Sequence, residues 1–143
     1  MSVFRDRAVF LAGPMRGYPN FNFHTFQAAR NALRSQGASV WCPAERDLLD
    51  GFNPWGRDGT TEELAEVGFQ MESALNRNIA ALLGCHAVAV LPGWESSPGA
   101  RTELAVALTR GIAVYGLEGP YTAKYRVIRR TCGGSGVWEV HSL

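Results

Sequence analysis

Ser97, Pro98 and Gly99 spell a helix start. Serine is a good N-cap, and proline fits the first helical position, where its missing N–H costs nothing. The backbone amides of Gly99 and Ala100 are then expected to point out of the helix N-terminus. With the hydroxyls of Ser96 and Ser97 they can form a phosphate cradle, or they can simply cap the helix. A second Gly/Pro-rich loop, Gly13-Pro14-Met15-Arg16-Gly17, brings a cation in Arg16 that can reach an anion in the same crevice or stay a surface arginine. Glu103 follows about one turn into the helix. A carboxylate near a helix N-terminus is favoured in its charged form, typically by about 0.3–1 kcal/mol when exposed. An ionised carboxylate beside a phosphate site is odd in a mere binder, because like charges repel. It makes sense as a nucleophile toward an electrophile carried by the phosphorylated ligand. The alternative is an ordinary solvated helix carboxylate.

These loops need a scaffold that brings them together. The apolar run Ala8-Val9-Phe10-Leu11-Ala12, closed by Gly-Pro, reads as a buried strand. Asn20 or Asn22 can cap the next helix, in which Phe23, Phe26, Ala29 and Leu33 step at helical spacing up to Gly37. Residues 38–42 read as a second strand, and residues 44–61 as a long, turn-rich loop. Its Phe52 and Trp55 favour an ordered lid. Residues 62–83 read as one long helix with a stripe of Leu64, Val67, Gly68, Met71, Leu75, Ile79 and Leu82. Ala87-Val88-Ala89-Val90-Leu91 is a central strand covered on both faces, a helix runs from the Ser97 start to Gly111, and residues 112–117 form a fourth strand. In the tail, residues 122–131 suggest a short helix, residues 132–136 a flexible link and residues 137–140 a last strand.

The expected fold is therefore one α/β domain over residues 1–143, with 121–143 the less defined tail. It is a flavodoxin-like (Rossmann-like) three-layer sandwich on a mostly parallel sheet of about five strands. In such a sheet the first and third strands lie side by side, and ligands bind beyond their carboxyl ends. The two loops there are 13–17 and 92–99, so architecture and composition select the same crevice. Trp55 and Trp94 can stack on a base there, and Phe21 and Phe23 can close over it; each can equally be packing.

Three segments, Phe10-Leu11-Ala12-Gly13-Pro14-Met15-Arg16-Gly17, Cys85-His86-Ala87-Val88 and the stretch from Gly93-Trp94-Glu95-Ser96-Ser97-Pro98-Gly99 to Glu103, resemble the nucleoside 2-deoxyribosyltransferase-like superfamily. That group includes deoxynucleoside 5′-monophosphate N-glycosidases and cytidylate hydrolases, and the likeness is strongest to a branch of small phage-encoded proteins. It covers residues 8 to about 117. The resemblance implies that Glu103 is the nucleophile that attacks the anomeric carbon, expels the base and forms a glycosyl-enzyme. It implies that Ser97 and Gly99 hold the 5′-phosphate, that Arg16 and Gly17 add first-loop phosphate contacts, and that Phe10 and Gly13 lie near sugar and base. Met15 and Trp94 join the substrate-binding set. The substrate implied is a nucleotide, with a pyrimidine 5′-monophosphate favoured, without cofactor or metal, in a homodimer or larger assembly. Two positions depart from the family. Asn78 stands where a carboxylate assists the chemistry, and an amide cannot exchange a proton as a carboxylate does. His86 stands where an aspartate is frequent. Either Asp58, Glu72 or Glu95 substitutes, or the chain is altered in substrate, slow, or a nucleotide-binding module without turnover.

Composition narrows the field. A net charge of +1 without a basic block gives no footprint for direct nucleic-acid binding. Cys42, Cys85 and Cys132 are odd in number and widely spaced, which argues against a disulfide framework or a zinc site. His24, His86 and His141 share no ligand spacing. No segment is long or apolar enough to span a bilayer, and the short run after Arg5 and Arg7 reads as a strand rather than a signal peptide. The expected location is cytoplasmic (the host cytoplasm for a phage protein), with no membrane partner.

Overall fold

Apolar residues alternate along the strands, and that alternation builds two cores, one on each face of the sheet. The computed structural model describes residues 2–66, 68–130 and 138–143. The strands are β1 (Ala8–Ala12), β2 (Ser39–Trp41), β3 (Ala87–Val90), β4 (Ala113–Glu118), β5 (Thr122–Arg129) and β6 (Trp138–Ser142). They form one sheet in the order β2-β1-β3-β4-β5-β6. The first four are parallel, and β5 and β6 add on antiparallel. Val9 and Leu11 of β1, with Ala87 and Ala89 of β3, meet Phe23, Phe26, Ala29 and Leu33 of α1 (Phe23–Ser35). Phe10, Val88, Val90 and Val114 point to the other face. There they pack on Leu82 of α4 (Met71–Leu83) and on Ala100, Leu104 and Ala107 of α5 (Pro98–Thr109). Period-2 alternation on strands covered by helices on both sides is what a Rossmann-like sheet requires.

Because β1 neighbours β3, the chain leaves their carboxyl ends toward opposite helix layers, and a crevice opens between the two following loops.

Three readings need correction. Residues 122–131 are not helical: Thr122–Arg129 is β5, paired with β4 through Val114↔Val127 and Gly116↔Tyr125. Tyr125 and Ile128 mimic helical spacing, but Ala123, Tyr125 and Val127 also alternate, and the free edge of β4 selects the strand. The sheet accordingly has six strands and not five. Residues 62–83 are two helices, α3 (Thr61–Glu66) and α4, separated by a turn at Gly68 with φ +67°. The stripe never was one face: Leu64 belongs to the α1-side core and Leu82 to the α5-side core, while Met71 and Leu75 are exposed. The long loop begins with α2 (Pro43–Leu49), whose Pro43 sits in the first turn and whose Glu45 pairs with Arg30 and Arg34. The readings at Val67, at the 132–136 link including Cys132, and at Val137 lie outside the described residues. No described helix is long and apolar enough to cross a membrane.

Candidate functional site

Gly13, Pro14, Met15 and Arg16 leave β1, and Ser96, Ser97, Pro98 and Gly99 lead into α5; together they line one cavity of about 200 Å3. Asn78 from α4 and Glu103 from α5 reach the same space. The opposite wall is apolar. Phe21, Phe23 and Phe26 enter from the segment after the first loop, and Phe52, Leu64 and Phe69 from the lid and α3 region. The cavity thus has a polar mouth and an aromatic lining, with Glu103 between them.

Ser97 caps α5 as its sequence position implies: its side chain accepts from the Ala100 N–H at 3.2 Å. This changes the expected cradle. The Ala100 amide is already satisfied by the cap, and the Arg101 amide donates to the Ser97 carbonyl at 2.9 Å. An anion at this helix end is left with the Gly99 N–H, the serine hydroxyl protons and the exposed Arg16.

Glu103 is only 6% exposed. Burial drives its pKa from 4.5 up to about 8; the neighbouring Asn78 amide pulls it down, and the charge of Asp47 adds to the rise. The expected preference of Glu103 for its charged form is therefore overturned. A helix end contributes about 0.3–1 kcal/mol, whereas a pKa raised from 4.5 to about 8 corresponds to about 5 kcal/mol against ionisation. Desolvation wins because the side chain sits inside the cavity floor and not on the solvated helix surface.

Other residues fall elsewhere. Phe10 is fully buried on the α4–α5 face, stacked on Trp41 at 5.6 Å, and does not line the cavity. Gly17 also stays outside it, its N–H donating to the Gly59 carbonyl at 2.8 Å. Trp94, 3% exposed, is a core residue: its Nε1–H donates to the Tyr125 hydroxyl at 2.9 Å and its ring packs against Trp138 at 5.5 Å. Trp55 is 41% exposed and lies against His24 and Phe23, again off the cavity lining. Asp58, Glu72 and Glu95 are exposed and line no part of it. His86 lies at the amino end of β3, away from the crevice, where its Nδ1 accepts from the Ala8 N–H at 2.9 Å. The thiols of Cys42 and Cys85 are pushed up by burial, which leaves neither activated. Among the described residues, no group of three or more His, Cys, Asp or Glu side chains is placed to hold a metal ion.

Residues absent from the sequence reading complete the picture. Asp47 is a buried carboxylate on α2, 4% exposed, pushed up by burial against the opposing pull of Arg77. Arg77 bonds Asp47 at 2.8 Å, Asp50 at 3.0 Å and the Asn78 side-chain oxygen at 2.9 Å. Arg77 directly precedes Asn78, which was the available signal; Asp47 lay in a segment read as loop. Phe69 is a further cavity wall, beside Phe26 and Leu64 from the helical stripes and Phe52 from the lid.

The packing of Trp94 makes a prediction. Trp94→Phe should cost about 1 kcal/mol in urea denaturation through the lost hydrogen bond to Tyr125. An unchanged denaturation midpoint would show that the hydrogen bond contributes nothing to the fold.

A family model described as "Domain of unknown function (DUF4406)" matches residues 7–115, well over half of the chain, and the chain belongs to that family. The matched region runs from just before β1 into β4 and so takes in both crevice loops, Asn78 and Glu103. No curated protein and no solved structure matches the chain.

Proposed function

We propose that this chain cleaves or exchanges the N-glycosidic bond of a (deoxy)nucleoside 5′-monophosphate, with a pyrimidine base favoured, using Glu103 as nucleophile. One observation carries the reading: a buried carboxylate at the floor of a cavity whose mouth offers an arginine, serine hydroxyls and a free helix-end amide. The phosphate sits at Arg16, Ser97 and Gly99, and the base against the aromatic wall. Ionised Glu103 attacks the anomeric carbon. The carbon–nitrogen bond breaks with its electron pair leaving on the base, which takes up a proton from solvent. Water then hydrolyses the glycosyl ester and regenerates the carboxylate, or a second base accepts the sugar. Only ionised Glu103 is a nucleophile, so kcat/KM should rise with pH through a midpoint near 8 in the free enzyme and level off above it. The resemblance of the sequence to the deoxyribosyltransferase-like superfamily points the same way and further implies a homodimer or larger assembly, checked by sedimentation.

The test is release of free base from a panel of nucleoside monophosphates, with Glu103→Ala as control. Base released by the parent and lost in the variant is the expected result; silence across the panel would end the enzymatic reading. Asn78 supports a second reading, nucleotide binding without turnover, because the side chain beside Glu103 cannot exchange a proton. Thermal stabilisation by a monophosphate with no base released would select it.

A further inference from the structure

We infer that Arg77 is a positioning residue for Glu103: it holds the Asn78 amide with the oxygen engaged on the guanidinium and the NH2 group left for the Glu103 carboxyl.

Arg77 grips one atom of Asn78 from two nitrogens. Its Nε donates to Asn78 Oδ1 at 3.2 Å and its Nη2 donates to the same oxygen at 2.9 Å. The guanidinium is itself immobilised. Nη2 donates to Asp47 Oδ1 at 2.8 Å, Nη1 to Asp50 Oδ2 at 3.0 Å, and the group lies 5.5 Å from the centre of the Trp41 ring. A guanidinium has donors and no acceptor. Turning the Asn78 amide over would set its NH2 against two N–H donors and leave Asp47 with the same partner, so one orientation is strongly preferred. The polar group Asn78 has left is its NH2, and Asn78 lines the same cavity as Glu103, whose ionised form it favours.

An amide held this way is a donor only. It favours the ionised carboxylate against burial and cannot take the carboxyl's proton. The charged groups that bear on Glu103 are Asp47 from α2, which opposes ionisation, and Arg77 from α4, acting through Asn78; Arg16 lines the same cavity. The inference assigns Arg77, Asp47 and Trp41 to one support for the nucleophile. Its catalytic meaning rests on the glycosidic reading; its effect on the carboxyl does not.

The experiment follows the Glu103 carboxyl carbon by NMR against pH in labelled protein, identified by its absence in Glu103→Gln. Arg77→Lys keeps the positive charge beside Asp47 but cannot hold one oxygen from two nitrogens. Its Glu103 midpoint should lie above the parent's by about half a pH unit or more. Asp47→Asn/Arg77→Met, which leaves no unpaired buried charge, should titrate above Asp47→Asn alone. Repeating Arg77→Lys in an Asn78→Ala background should give no further rise. An unchanged midpoint in folded Arg77→Lys, or the same rise without Asn78, would overturn the inference. If no protein in the series releases base, the glycosidic reading fails while the titration still decides the role of Arg77. If base is released, its pH profile should move with the carboxyl midpoint.

Discussion

Glu103→Gln is expected to make the protein more stable at pH 8.5, by about 2–5 kcal/mol, while abolishing the base release proposed above. The sign follows from linkage. Glu103 titrates near 8 in the native state and near its ordinary 4.5 when unfolded, so between those values the native state holds the proton more tightly. Stability contributed at this site is therefore intact below about pH 4.5, falls as the pH rises, and is at its lowest above about 8. Glutamine is neutral throughout and accepts the same burial without that penalty. Urea denaturation of parent and variant at pH 4.5, 6.5 and 8.5 should give curves that nearly coincide at the acid end and separate progressively toward the alkaline end. Equal stabilities at pH 8.5 would mean that Glu103 is solvated and ionised, and that it needs no help from Asn78. Reading the difference between the two proteins isolates this group from Asp47, which burial shifts in the same direction. A stabilising loss of function is the pattern expected where a fold holds a charged group out of water for chemistry.

Gly59→Ala is expected to undock the lid and cost about 2–4 kcal/mol. The segment that carries Phe52 is tied to the first loop mainly through backbone. Gly17 N–H donates to the Gly59 carbonyl at 2.8 Å, Asn20 N–H to the Arg57 carbonyl at 2.8 Å, and Gly56 N–H to the Asn20 side chain at 2.7 Å. Gly59 has φ +86°, and a Cβ there would lie 2.8 Å from the Tyr18 backbone nitrogen and collide with the Tyr18 carbonyl oxygen. Neither neighbour is the flexible end of a side chain, so one strand of the clasp must move. Gly56→Ala is the matched control: φ is +74°, but the added carbon meets open space, so the expected cost is about 1 kcal/mol. Denaturation midpoints, with hydrogen exchange at the Gly17, Asn20 and Gly56 amides, separate the two. Equal costs would show that the clasp contributes nothing. The clasp matters because it holds Asn20, Phe21 and Asn22 in a left-handed turn, with φ of 52°, 52° and 64°. Asparagine tolerates that conformation; phenylalanine does so at about 1–2 kcal/mol, offset by burying its ring at the edge of Phe52.

Legibility in the sequence divided along range of interaction. β1, α1, β3 and the Ser97-Pro98 start of α5 are local: an apolar run between turn residues, a 3.6-residue stripe, or a cap followed by proline specifies each from within a few residues. The β5 stretch is ambiguous on its own, because Tyr125 and Ile128 fit a helix as well as Ala123, Tyr125 and Val127 fit a strand, and the deciding partner, β4, is a separate element. The split between α3 and α4 was hidden for a related reason. Leu64 and Leu82 are both apolar, and only the sheet between them reveals that they face different cores. Trp94 illustrates the same limit at the site. Its loop was correctly placed beside the crevice, but the ring turns inward because Tyr125 and Trp138, from the strands that extend the sheet, offer it a hydrogen bond and an aromatic neighbour.

Glu103, Arg16, Ser97, Gly99 and Asn78 were visible as chemistry-bearing types, and the order of strands and helices, set by local patterning, determined that their loops converge past β1 and β3. What the tertiary structure alone decided is the protonation of Glu103 and the company it keeps. A carboxylate one turn into a helix is charged if water reaches it and neutral if the floor of a cavity excludes water, and nothing local distinguishes the two. Likewise, Asp47 and Arg77 are thirty positions apart in the chain and meet only because the fold brings one residue of α2 within reach of one residue of α4. Covalent neighbourhood specifies the elements and the residues they carry; desolvation and long-range pairing, which depend on everything packed around a group, specify its charge and orientation.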